Sequence, residues 1–219
     1  MSSAEEEDRA AGHNRGLLLE IIGSIVERSV PLHLAVQLTP DALREMWVGM
    51  DLELLRDFLA ARRHPGLLHV AMLSARLTAE EIFDVYGDPF ALELVARAHA
   101  VIAGIEPTTV LLQRQRELTL RQKGHVAPGS RAAERLELLQ FAGDAVMRFA
   151  DLKRSGTDAA EAAEDRFVIR SAQSVILRGL DYLGLTVLGH PARAQIEAAL
   201  RALGPPTLEE IVVAAERSR

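Results

Sequence analysis

The sequence predicts an all-α protein, and three observations carry that expectation. Of the 219 residues 48% are hydrophobic but only 4% aromatic, with Leu and Ala dominating. That composition suits helices packed through aliphatic side chains better than a sandwich or barrel built on β-branched and aromatic residues. Apolar residues recur at spacings of three and four through most of the chain, the period of a helix with one buried face. Proline, Ser, Thr and Asp stand where helices start and glycine where they stop. The expected architecture is an irregular bundle of about ten helices, short in the first half and longer in the second.

Residues 1–13 carry Glu5, Glu6, Glu7 and Asp8 and almost nothing apolar, so they are expected to form a mobile acidic tail. From Asn14 onward a single helical domain over 14–219 is expected, with a possible subdivision near 124–130. The stripe Leu17, Leu18, Ile21, Ile22, Ile25 and Val26 reads as the first helix, ended by Pro31. Val30 to Leu38 reads as an extended connector, the one place where a short strand has room.

Thr39 before Pro40 caps a short helix, and Asp51 opens another that buries Leu52, Leu55, Phe58 and Leu59 and stops at His64, the residue before Pro65. Thr78 with Glu81 matches a capping box, so a further start is expected there. Asp88 before Pro89 marks the next, and Gly87 and Gly104 supply left-handed stops. A helix from about Pro107 should end near Lys123 and Gly124. Ser130 caps one running to about Lys153, and Thr157 opens one ending at Gly184. The last two follow Pro191 and Thr207. TAEEI at Thr78 resembles TLEEI at Thr207, but the flanks do not continue the match and no repeat is inferred.

Several chemistries are excluded outright. With no cysteine there is no disulfide, thiolate nucleophile or sulfur metal ligand. No glycine-rich phosphate loop occurs, no Gly-x-Ser-x-Gly elbow, and no His-Glu-x-x-His or Glu-x-x-His spacing. An N-terminus acidic where a secretory signal needs positive charge, and an apolar run broken by Glu20 and Gly23, predict neither export nor a membrane span. A cytoplasmic protein without cofactor or metal is expected.

Histidines are the first candidates for chemistry. His64 and His69 stand five apart, which turns the second about 140° from the first on a helix, and Pro65 places His64 outside the regular turns. They read as structural. His99 shares a face with Leu92, Val95 and Ile102 and is expected as a buried neutral imidazole with a hydrogen-bond partner. Asp144 and Arg148 stand four apart and are expected to pair. Asp181, beside Tyr182, is the acid whose burial would matter.

Formal net charge is −6, which argues against nonspecific nucleic-acid binding. The segment from Gln113 to Arg135 departs from that balance: Arg114, Arg116, Arg121, Lys123, Arg131 and Arg135 face only Glu117 and Glu134, a local +4. Arg114 and Arg121 fall on one side of the helix, Arg116 and Lys123 nearly opposite. After Leu112 only Leu118 and Leu120 are large and apolar, so this segment is expected to project its charges toward an acidic partner. Met46, Trp47 and Met50 form a second candidate contact, an apolar one. The function expected is therefore a non-enzymatic, surface-acting adaptor, assembly or regulatory protein with a protein partner, itself included as a homo-oligomer. Two alternatives stand beside it: a nucleic-acid-binding regulator using the basic segment, and an enzyme whose site is assembled in space from His64, His69, His99 or Asp181.

Overall fold

A computed structural model of the chain describes residue 59 and residues 62–125, 130–184, 191–204 and 207. Every regular element among them is a helix, with no strand. Seven helices are seen: α1 (Leu67–Tyr86), α2 (Phe90–Ile102), α3 (Thr108–His125), α4 (Arg131–Arg154), α5 (Ala159–Ala163), α6 (Arg166–Gly184) and α7 (Pro191–Ala202). The acidic tail, the helices expected before Leu59, the connector at 30–38, the Met46, Trp47 and Met50 cluster, and the helix expected after Thr207 lie outside the described residues. His64–Ala199 forms one compact unit, and the described residues on either side of it belong to a second. Both α3 and α4, which flank the 124–130 segment, belong to the first unit.

In that unit α4 and α6 are the central pair. α1 packs on α6 and also meets α2 and α4, while α3 lies against α4 and α2. Leu67, Met72, Leu94, Leu111, Leu118, Leu138, Leu139 and Ile176 are fully enclosed between them. The core is aliphatic, as the low aromatic content requires.

Local chemistry explains most boundaries. His64 precedes the first helix, and its Nδ1 accepts a hydrogen bond from the Gly66 N–H at 3.0 Å, so it satisfies a backbone donor at the turn that enters α1. Gly87, at φ 66°, closes α1 by donating to the Phe83 carbonyl at 2.7 Å. Asp88 accepts from the Phe90 N–H through Oδ1 at 3.0 Å and so opens α2. Ser130 Oγ accepts from the Ala133 N–H at 3.3 Å and opens α4.

Two boundaries differ from expectation. Thr78 does not start a helix: α1 runs unbroken through it for 20 residues, and a long helix therefore already stands in the first half. The Thr78 hydroxyl donates to the Ser74 carbonyl one turn back, at 2.9 Å, and is fully buried. With apolar residues on both sides and no glycine or proline nearby, the capping-box pattern is overridden by packing. Conversely, the long helix expected from Thr157 is broken. Asp158 caps the five-residue α5 by accepting from the Ala160 N–H at 2.8 Å. Asp165 then caps α6, its Oδ1 accepting from the Phe167 and Val168 N–H groups at 3.0 and 3.3 Å.

Two glycines permit close helix crossings. A Cβ on Gly179 of α6 would lie 1.9 Å from Ser74 Oγ on α1, and one on Gly143 of α4 would lie 2.2 Å from Gln115 Nε2 on α3. Ser74 Oγ donates across the first crossing to the Val175 carbonyl at 3.2 Å. Gln115 spans the second, donating to the Gln140 carbonyl at 2.8 Å and to Asp144 Oδ1 at 3.1 Å.

Candidate binding cleft

The end of α1, the start of α2, the middle of α3 and the start of α4 converge on a cleft of about 570 Å³. Three helices contribute short stripes at helical spacing, Ile82 and Tyr86, Leu118 and Arg121, and Ala132, Arg135 and Leu136, while α2 gives the adjacent Phe90 and Ala91 and the α1–α2 turn gives Asp88. The lining is mostly apolar and carries two cations and one anion. Its volume lies in the range of sites that enclose small molecules or single anchoring side chains.

Asp88 organises the rim. While Oδ1 caps α2, Oδ2 accepts from Arg121 Nη1 at 2.6 Å. The Arg121 guanidinium lies 4.1 Å from the centroid of the Phe90 ring, an attractive stack of cation on ring face. Arg121 remains half-exposed there. Deeper in the wall, Arg135 Nη2 pairs with Glu81 Oε1 at 2.7 Å, both side chains nearly enclosed. The second carboxylate oxygen of Glu81 and Arg135 Nε are buried and without hydrogen-bond partners.

The basic segment predicted to project thus has a different setting. α3 is docked by Leu111, Gln115 and Leu118, spaced four and three apart, all buried. Arg114 is held by Glu93 at 3.0 Å and Glu117 at 2.8 Å, and also faces the Phe90 ring at 5.6 Å. Arg114, Arg121 and Arg135 are therefore each opposed by a carboxylate. Arg116 is exposed on the far side of α3. The side chains of Lys123 and Arg131 lie outside the described residues. Sequence reasoning named Arg121 and Arg135 but missed the apolar lining. The signal was present as three short stripes and the start of α2, whose convergence is tertiary.

Of the imidazole candidates, His69 and His99 are brought near each other across α1 and α2. His64 caps a turn. His69 and His99 are both exposed, on α1 and α2, and His99 is not the enclosed residue expected. The buried stripe of α2 is Phe90, Ala91, Leu94, Val95, Ala98 and Val101, which leaves His99 at its edge. Partial burial, then Arg76 and His69 nearby, hold the His99 pKa below its usual value. Asp181 is exposed. Its neighbour Tyr182 is buried, and that burial, reinforced by Glu134, pushes its hydroxyl up to about 12. A neutral phenol donating to a carboxylate is structural chemistry.

Asp144 and Arg148 do not pair as expected. Gln115 takes Asp144, whose pKa is raised chiefly by burial, and Arg148 reaches the α6 cap at Asp165, Nε to Oδ1 at 3.3 Å and Nη2 to Oδ2 at 3.2 Å. Among the described residues no three His, Asp or Glu side chains are placed to hold a metal ion, and no helix is long and apolar enough to cross a membrane. No protein-family model, curated protein or solved structure matches the chain.

Proposed function

We propose that the chain is a non-enzymatic helical protein-interaction module, an adaptor, assembly or regulatory protein of the cytoplasm, and that the four-helix cleft is its contact surface. One observation supports this most. The last turn of α1 carries Phe83, Val85 and Tyr86 at 41%, 59% and 59% exposed, and Tyr86 among them lines the cleft. An exposed aromatic side chain at the edge of a concave, mostly apolar surface suits a helix-in-groove contact, in which a partner lays an apolar ridge into the cleft. The partner is a protein, a second copy of the chain included. The nucleic-acid reading draws no comparable support, because the basic residues of α3 do not share one face: Arg116 is exposed on the side away from Arg114 and Arg121.

Site-specific photo-crosslinking tests the reading. A photoreactive amino acid at position 86 should give one discrete protein adduct in cells of the source organism, and the same residue at position 116 should give none. No adduct at 86, or equal labelling at 116, would overturn it.

A further inference from the structure

Two ion pairs hold the charges of the cleft, Arg121 with Asp88 at the rim and Arg135 with Glu81 in the wall. Arg135 is bonded to Glu81 through Nη2 and nearly enclosed, and its unpartnered Nε is buried. Arg121 is different. Its contact with Asp88 uses one nitrogen, Nη1, the Phe90 ring covers one face of the guanidinium, and half of the side chain is open to solvent. A guanidinium carries five N–H donors in a fixed fork, so most of them remain for an anion at the mouth. The cap that fixes Asp88 through the Phe90 N–H also fixes Arg121, and the cation is therefore pre-positioned above an apolar interior.

We propose that the cleft binds a small amphiphile with an unbranched apolar body and a single anionic head, of the class of medium-chain carboxylates. The body lies against Tyr86, Ala132 and Leu136, and the head accepts hydrogen bonds from Arg121 at the rim. This goes beyond the interaction reading: it gives the same cleft a ligand that would compete with, or complete, the surface offered to a protein.

Calorimetric titration of the purified full chain with decanoate tests it, with decanol and decyltrimethylammonium as head-group controls. Decanoate should bind saturably at one site, each methylene removed from the chain weakening binding about fourfold, the equivalent of about 0.8 kcal/mol per buried CH₂. Arg121→Gln should weaken decanoate at least tenfold and leave decanol unchanged. Ala132→Phe, which fills the cleft, should abolish both, and a thermal melt with an undiminished cooperative transition identifies variants that still fold. If Ala132→Phe does not fold, loss of binding in Ala91→Leu serves the same purpose. Decanol binding as tightly as decanoate, tighter binding of the cationic amphiphile, non-saturable uptake, or binding undiminished by the filling variants would each overturn the proposal. Because no partner protein is present in the titration, its failure leaves the crosslinking result at position 86 to be judged separately.

Discussion

Asp165 divides the chain between α5 and α6 with one carboxylate. Oδ1 receives the first free N–H groups of α6, and both oxygens face the Arg148 guanidinium from α4. The Arg148 hydrogen bond is the largest cause holding the Asp165 pKa below the usual carboxylate value, with the two backbone N–H groups acting in the same direction. A carboxyl whose folded pKa is depressed contributes stability in full above its unfolded value near 4, and that stability is lost as pH falls through the folded value. Removing the side chain should separate the two roles. Asp165→Ala loses the cap and should cost about 0.5–2 kcal/mol in urea unfolding at neutral pH. Asp165→Asn keeps a good cap and loses only the exposed charge pairing, so it should cost less. Equal losses in the two variants would assign the stability to Arg148 instead. The sequence offered Arg148 a partner four residues away in Asp144. A pairing along one helix is visible in one dimension, whereas competition from Gln115 and Asp165, brought in by other helices, is not.

At the scale of elements, boundaries written in local chemistry were legible. Gly87 and Gly104 adopt the left-handed stops expected of them, at φ 66° and 74°, and Ser130 and the Asp88–Pro89 pair open the helices assigned to them. Signals that depend on burial misled: Thr78 carries a capping pattern yet lies fully enclosed within α1. Its hydroxyl is taken by the Ser74 carbonyl, and Ser74 marks the crossing, where it meets Gly179 and bonds Val175 of α6. That crossing supplies a sharp test. Gly179→Ala places a Cβ within 1.9 Å of Ser74 Oγ, which forces the helices apart and should cost about 1–3 kcal/mol, the usual range for overpacking. Ser74→Ala alone removes one buried hydrogen bond, worth about 1 kcal/mol. In the double variant the closest clash is gone, since the next atom, Ser74 Cβ, lies at 3.2 Å. The combined loss should therefore be smaller than the sum of the single losses, and strict additivity in chemical denaturation would show that the two residues do not meet. The cleft was half legible for a related reason: charge density singled out Arg121 and Arg135, but the apolar stripes beneath them become one surface only after four helices have packed.

Across the whole molecule, titration near neutral pH concentrates on histidine, since the chain has no cysteine. His99 joins two helices in this respect. It lies on α2, and Arg76 and His69 of α1 oppose its protonation after partial burial has already done so. The folded chain therefore binds the His99 proton more weakly than the unfolded chain, whose imidazole titrates near 6.5. The sign follows from linkage: above that value both states are neutral at His99 and stability is unaffected, whereas as pH falls through it the unfolded state gains protons first and stability declines. His99→Gln, which keeps a polar side chain of similar reach and removes the titration, should lose less Tm than the unsubstituted chain between about pH 7.5 and pH 5.5. Raised salt should narrow the difference by screening the Arg76 and His69 contributions. A series of melts across that interval, at low and at high salt, checks both statements. Parallel Tm curves for the two proteins would place the acid sensitivity elsewhere than at the α1–α2 face.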